Sequence, residues 1–289
     1  MAEPAAPPSE GTTDRAYPPP AAASPSGAPI RPVPFRGGGF APRSLRFGAP
    51  ATFLGLLGLW WAATQYGWVS PLALPKPEEV GRAFLDLATS GLLWQHLAAS
   101  LWRLGLGWVI GAAAGTVVGF AIGLSSLARS TALPMVSAMF PVPKIALLPL
   151  FILWLGIGEV SKVATIAFGV FSPMAIAAFG GVDGVDRNLV RMAQSFGMPT
   201  RAIVLKIVLP GAMPALLSGA RISASIGIIL LTAAEMIGAR YGIGALVLSA
   251  GNLMATDQLV AGVLVLSAMG LTVSKGIAAI EKRVLRWRA

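Results

Sequence analysis

Two ionisable side chains lie within long apolar stretches and could therefore take part in moving a charged solute. Lys144 lies in a segment that carries four prolines within 16 residues, and Glu235 lies near the end of an apolar run. An ionisable residue at membrane depth is costly and by default marks a solute or ion pathway. Both residues are therefore candidates for a translocation path. The alternatives are that Lys144 pairs structurally or snorkels to the interface and that Glu235 belongs to a structural ion pair.

Composition excludes several kinds of chemistry. The chain has no cysteine, a single histidine, His96, and no lysine that directly follows a glycine. Thiolate and multi-histidine metal sites are therefore excluded, and so is the phosphate-binding loop that ends in Gly-Lys-Ser/Thr. We expect no catalytic residue, no metal and no cofactor. If this protein moves a solute at the expense of ATP, another chain must hydrolyse the ATP.

The segment 182–210 is long, basic and patterned, whereas a connector between two helices needs only a few residues. It has room for two short helices, broken at Gly197 and closed by Pro210. Four apolar residues at helical spacing would form one face of the first helix: Leu189, Met192, Ala193 and Phe196. Such a face either docks into a groove of a partner or packs back on the chain's own bundle.

Glycine recurs at intervals of four in one apolar stretch, at Gly107, Gly111, Gly115, Gly119 and Gly123. In lipid, glycines at this spacing form a strip along which a second helix backbone can approach closely. We interpret the strip as a helix-packing surface, with the lining of a pathway as the alternative.

The elements that must position these residues are membrane spans. Only 12% of the 289 residues are charged, about half the share found in average soluble domains. Stretches of 29, 25 and 20 uncharged residues follow Arg46, Arg103 and Lys162, and roughly 20 suffice to cross a bilayer. We predict an all-α membrane protein, a polytopic bundle of about six transmembrane helices, and an amphipathic interface helix over 78–90. The predicted spans are 47–66, 98–124, 132–153, 163–181, 212–236 and 258–280.

Composition also divides the chain. Residues 1–43 hold 11 of the 23 prolines, which predicts a disordered Pro/Ala-rich cytoplasmic tail, and residues 44–289 form the transmembrane domain. With the N-terminus inside, the inner segments carry 14 Lys and Arg residues and the outer segments 4. This asymmetry predicts that both termini are cytoplasmic. It also accounts for the net charge of +10 without a nucleic acid partner.

Within the patterned loop, Ala193-x-x-x-Gly197 is followed twelve residues later by Leu209-Pro210. This pattern resembles the "EAA…G…LP" loop of ABC importer permeases. It departs from the family at Arg191, which stands where the family usually has Glu. Four further stretches are similar to permeases for nitrate, sulfonate, taurine, bicarbonate and thiamine-precursor import: 74–80, 93–97, 149–159 and 234–238. The resemblance covers about residues 50–285.

The resemblance implies a type I ABC importer permease in the inner (plasma) membrane of a bacterium, working by alternating access. It implies a homodimer among membrane lipids, cytoplasmic ABC ATPase subunits and an extracytoplasmic solute-binding protein. The solute would be a small anion, for which a carboxylate is a poor ligand, so we favour structural pairing for Glu235. The coupling loop to the ATPase would comprise Leu189, Met192, Ala193, Phe196, Gly197, Leu209 and Pro210.

Two other classes of protein agree less well with the sequence. A self-sufficient secondary transporter needs acidic or histidine relays within the membrane, and only Glu235 is a candidate for such a relay. No inverted repeat is evident. A small structural or assembly protein would have no need of the patterned cytoplasmic loop.

Overall fold

The computed structural model of the chain describes residues 47–286, and the tail predicted over 1–43 lies outside them. The described part consists of α-helices joined by loops, one 3-10 turn at Lys144–Leu147 and one π turn at Val204–Val208. The predicted all-helical bundle is confirmed. In chain order the helices are α1 (Gly48–Gln65), α2 (Pro77–Thr89), α3 (Leu92–Leu124), α4 (Ser126–Met139), α5 (Leu148–Leu155), α6 (Glu159–Asp183), α7 (Arg187–Ser195), α8 (Thr200–Ile203), α9 (Leu209–Met236), α10 (Ile243–Asn252) and α11 (Thr256–Val284). The chain divides into two compact units after Phe53, and the packing below lies within the second.

Helices α3 and α6 run parallel and touch along the five glycines of α3. A methyl group added at any of them would lie within 2.7 Å of an α6 atom, from Ile166 opposite Gly107 to Val182 opposite Gly123. We call Gly107, Gly111, Gly115, Gly119 and Gly123 the glycine seam. Since glycine has no Cβ, the seam brings the two backbones into direct contact. The helix-packing interpretation of these glycines is confirmed.

Helix α9 packs against α6 in the antiparallel direction. Gly181 of α6 lies against Ala212 near the start of α9, and Gly219 lies against Ala177 one to two turns further on. Between the helices, Ile166, Val170 and Leu231 are fully buried. Helix α6 is therefore central in the described bundle, with α3 and α9 packed against it.

Long apolar helices confirm most of the predicted spans. Four are long and apolar enough to cross a membrane: α3, α6, a continuous Thr200–Met236 helix and α11. The third predicted span is broken into α4 and a second piece, Lys144–Leu155, bent by 92°. The prolines at 141 and 143 lie in this bend and cannot donate helical hydrogen bonds. Helix α1 occupies the first predicted span, although it is not among the described helices whose length and composition suit a crossing.

Two local predictions are wrong. Pro210 does not close the second short helix, because α8, the π turn and α9 form one helix of 37 residues. In the π turn the N–H of Leu209 donates to the carbonyl of Val204, five residues back, just before the proline that lacks an N–H. The sequence interpretation also missed α10, which has only ten residues.

An amphipathic helix is present at the position predicted over 78–90, as α2, and its place at the membrane interface stays a prediction. It begins at Pro77, whose fixed φ suits the first turn, and the Glu79 side chain accepts a hydrogen bond from the Lys76 N–H at 3.0 Å. Val80 and Ala83 form its buried face together with Ala261 of α11.

Candidate functional site

Arg103 of α3 joins three elements at the end of the bundle where α3 and α6 begin and α9 ends, here called the network end. Its Nε donates to Glu159 Oε2 at 2.5 Å, and its Nη2 donates to Glu159 Oε1 at 2.7 Å. Its Nη1 donates to Glu235 Oε1 at 2.8 Å and to the Tyr241 carbonyl at 2.6 Å. One guanidinium thus binds two carboxylates, and the pair with Glu159 is bidentate.

Glu235 is fully enclosed at the end of α9. Its carboxylate also accepts hydrogen bonds from Ser100 Oγ at 2.8 Å and from the Gly244 N–H at 2.9 Å. The turn between α9 and α10 folds over it at Gly242, whose φ is +146°. A Cβ at this position would collide with the Glu235 carboxyl group, so the turn requires glycine in both conformation and space. The geometry gives Glu235 the environment of a fixed structural carboxylate.

His96 and Lys162 extend the network through backbone atoms. His96 Nδ1 lies 2.7 Å from the Gly242 carbonyl oxygen and 3.0 Å from the Gly242 nitrogen. Lys162, which is 2% exposed, donates to the carbonyls of Gly158 at 3.0 Å and Gly238 at 3.4 Å. These contacts link α3 and α6 to the segment after α9.

Glu159 differs from the rest of the network in its exposure. Its side chain is 60% exposed, against 5% for Arg103 and 0% for Glu235. It lies at one end of a cavity of about 730 Å³ that is lined by α3, α4, α5 and α6 and opens widely to the surface of the described chain. Among the described residues that line this cavity, Glu159 alone carries a charge, and the other walls are apolar side chains such as Trp102, Phe168 and Phe171.

Lys144 lies in the bend of the broken span. Its Nζ donates to the carbonyl of Phe140 at 3.0 Å and to that of Met139 at 3.4 Å, and it stands 5.6 Å from the centre of the Phe140 ring. These carbonyls end α4, where backbone acceptors lack helical partners. Lys144 and Glu235, the two predicted path residues, therefore lie in different surroundings and are not brought together.

The predicted coupling loop lies at the opposite end of the bundle, here called the α7 end. Helix α7 starts at Asp186, whose carboxylate accepts from the Asn188 N–H at 2.8 Å, and it is followed by Gly197 with φ +69°. The N–H of Met198 then donates to the Ala193 carbonyl at 3.1 Å, which closes the helix end. The break predicted at Gly197 is thereby confirmed.

The four residues of the predicted apolar face on α7 differ in exposure. Leu189, Met192 and Phe196 are 46%, 52% and 79% exposed, whereas Ala193 is 2% exposed and packs on the chain's own core. Leu209 and Pro210 are half-buried at the start of α9. The predicted face is therefore divided: Ala193 packs inward on the bundle, and the other three side chains stay exposed.

Two exposed ion pairs also lie at the α7 end. Arg129 of α4 pairs with Asp183 of α6, and Arg221 of α9 pairs with Glu281 of α11. Arg221 therefore ties α9 to α11. A more polar cavity of about 560 Å³ lies beside the first pair, under α7 and α8.

Sequence reasoning missed most of the network. Arg103 interrupts a predicted span, and a charge there is itself a signal that a partner must exist. The sequence could not identify that partner, because Glu159 lies 56 positions away and Glu235 lies 132 positions away.

Comparisons with known proteins give a consistent result. Residues 109–286 match the family described as "binding-protein-dependent transport system inner membrane component". The chain is 39% identical over 237 residues to the taurine transport system permease protein TauC of Escherichia coli (strain K12), covering 80% of this chain and 86% of TauC. It is 36% identical to the putative aliphatic sulfonates transport permease protein SsuC of the same strain, covering 81% and 89%.

Solved structures show the same fold. The chain matches the permease of the MetNI methionine ABC transporter in inward-facing conformations, with a TM-score of 0.54 and 20% identity. The match covers 69% of this chain and 97% of the other.

Proposed function

This chain belongs to the binding-protein-dependent transport system inner membrane components, and on that premise we propose that it carries small sulfonate-like anions across the membrane. It is the multi-pass inner membrane permease subunit of an ABC importer, a non-catalytic subunit. The observation that carries the proposed substrate class is the 39% identity to a taurine permease over 80% of the chain.

The buried cations of the site support an anionic solute, although two carboxylates balance their charge. Two cations, Arg103 and Lys162, are buried at the network end. Charged residues buried within a membrane protein mark solute pathways, and an arginine presents parallel N–H groups that suit sulfonate and carboxylate oxygens.

The family implies an ATPase and a solute-binding protein as partners. We place the ATPase at α7, where Leu189 and Met192 are exposed on a short helix and Phe196 is exposed at its C-cap. An exposed apolar helix face fits a groove on a partner. Gly197, Leu209 and Pro210 would then set how α7 joins α9. The α7 end is cytoplasmic in this arrangement, as are both termini, and two copies of the permease form the importer.

We keep Lys144 in the proposed translocation path because its side chain binds backbone carbonyls at the bend of the broken span. Replacing it with methionine leaves the two α4 carbonyls without their cation. In Lys144→Met we expect the initial rate of solute uptake to fall at least about fivefold, the effect of losing one charge-assisted hydrogen bond of roughly 1 kcal/mol or more. Lys275→Met, which removes an exposed lysine from α11, is the matched control and should keep the parental rate.

Uptake by the reconstituted importer tests the function. Proteoliposomes that contain the permease and its ATPase, with the solute-binding protein outside, are given labelled taurine, butanesulfonate or nitrate. ATP enclosed in the vesicles should drive uptake of at least one sulfonate, and ADP should not. ATP-independent uptake, or ATP-driven uptake of cations alone, would contradict the proposal.

A further inference from the structure

We propose that Arg103 is an anion-binding residue within the permease and that Glu159 occupies its binding edge as an exchangeable carboxylate. The incoming ligand is a small sulfonate with an aliphatic tail, which replaces Glu159 on Arg103 and places its tail in the apolar cavity lined by α3, α4, α5 and α6. This inference rests on the proposed function and adds a binding site to it.

The two carboxylates on Arg103 are not equivalent. Glu235 is 0% exposed and is also held by Ser100 Oγ and the Gly244 N–H, so it fixes the Nη1 side of the guanidinium permanently. Glu159 is 60% exposed, and the hydrogen bonds found for its carboxylate in the described structure come from Arg103. The Nε and Nη2 edge is therefore the part of Arg103 that can change partner.

The proposed exchange replaces one monovalent, bidentate anion on Arg103 with another. Glu159 presents two oxygens to Nε and Nη2 at 2.5 Å and 2.7 Å, and a sulfonate presents two oxygens in a similar bidentate arrangement. In the structure the two positive charges of Arg103 and Lys162 balance the two negative charges of Glu159 and Glu235. A monovalent anion that takes the place of Glu159 keeps that balance, while the released carboxylate reaches solvent. The start of α6 lies at the same position and favours negative charge through its unpaired N–H groups.

The adjoining cavity favours an anion whose remaining part is apolar. Its volume of about 730 Å³ falls in the usual range for small-ligand sites, and its walls beyond Glu159 are apolar. Lining residues run along α6 from Glu159 to Phe171, a length of about 18 Å at 1.5 Å per residue. An aliphatic chain attached to the sulfonate would lie along this wall, whereas a bare inorganic anion would leave it unfilled.

Binding of butanesulfonate to the permease–ATPase complex, without the solute-binding protein, tests the site. The complex is held in phosphatidylcholine nanodiscs and titrated by calorimetry. In Glu159→Gln the competing charge is lost, so the Kd for butanesulfonate should fall about tenfold. In Arg103→Lys the bidentate edge is lost, so the Kd should rise at least about tenfold. Glu281→Gln removes a partly exposed carboxylate from the ion pair at the α7 end and should keep the parental Kd.

Several results would overturn the inference. One is a parental Kd in Glu159→Gln, a variant that changes a mostly exposed side chain and therefore should fold even if Arg103→Lys does not. A second is that neither the parent nor Glu159→Gln binds butanesulfonate. A third is that butylamine binds as tightly as butanesulfonate. Loss of butanesulfonate binding when phosphatidylglycerol replaces phosphatidylcholine would assign the site to a lipid headgroup instead. If ATP-driven sulfonate uptake persists while any of these holds, the site alone fails and the proposed function stands.

Discussion

Glu235 is the residue whose removal should cost the fold most, because its loss leaves Arg103 buried with one carboxylate fewer. Breaking a buried ion pair from one side costs about 3–5 kcal/mol. We expect Glu235→Ala to lower the thermal unfolding temperature of the detergent-purified permease and to reduce its membrane abundance.

The matched control is Glu281→Ala, since Glu281 also pairs with one arginine but at a partly exposed position. Such pairs contribute about 0–1 kcal/mol, so this variant should unfold close to the parental temperature. Equal losses in the two variants would mean that the buried network does not stabilise the fold.

Individual charges within spans were visible in the sequence, but their pairing was not. Glu235 stood out because it interrupts an apolar run, and a structural pair was the favoured role. Its three donors come from α3 and from the first turn of α10. Neither the parallel packing of α3 nor that turn leaves a periodic signal in the sequence, so the partners could not be predicted.

At the scale of elements, the glycine seam makes a sharp prediction. Gly115→Ala places a methyl group against the Phe171 carbonyl and Met174 of α6, and overpacking of this kind costs about 1–3 kcal/mol. We expect a lower unfolding temperature for this variant in detergent.

Gly105 provides the comparison on the same helix. A Cβ there meets no other atom within 4 Å, so Gly105→Ala should be neutral or stabilise α3 by up to about 1 kcal/mol. Similar unfolding temperatures for both variants would contradict a backbone-contact role for the seam.

Helix α7 should depend on its outward side chains for binding the ATPase. Exposed aromatic residues at partner interfaces often carry 2 kcal/mol or more, so Phe196→Ala should weaken ATPase association at least about tenfold. Gly197→Asp should abolish it, because the space beside Gly197 is open in this chain and a partner would occupy it. Co-purification of the ATPase, normalised to permease abundance, is the measurement.

Leu253→Ala is the control for α7, since Leu253 is 75% exposed at the network end. It should leave ATPase association unchanged. Abundant Phe196→Ala and Gly197→Asp proteins that retain the ATPase and transport at the parental rate would refute the assignment of this helix.

Long periodic elements were predictable, whereas local departures from regular helix were not. The spans at α3 and α6 follow from their uncharged lengths, and the span at α11 follows from its hydropathy. The sequence predicts that the helix ends at Pro210 because proline lacks an N–H, but in the structure the helix continues through a π turn that precedes the proline. Helix α10 is apolar, but its ten residues are too few to be identified as a membrane span.

For the whole molecule, the charges at the two ends of the described bundle indicate its orientation. The α7 end is the more basic, with Arg129, Arg187, Arg191, Arg201, Lys206, Lys282, Arg283 and Arg286. Basic residues near spans favour the cytoplasm. A single cysteine at Ser195 should therefore react with an impermeant maleimide only from the cytoplasmic side, and one at Leu253 only from outside. The native chain has no cysteine to interfere. Labelling of Ser195→Cys by the impermeant maleimide in intact cells would show that the proposed orientation is wrong.

The sequence separations between Arg103 and its two carboxylates also determine when each partner is synthesised after Arg103. Glu159 follows Arg103 by 56 residues and Glu235 follows it by 132. At about 5–20 residues per second, the ribosome delivers the first carboxylate roughly 3–11 s after Arg103 and the second roughly 7–26 s after it. During that interval a cationic α3 with an uncovered glycine seam must wait at the site of membrane insertion. The nascent chain therefore meets the exchangeable partner of Arg103 first and the permanent partner last.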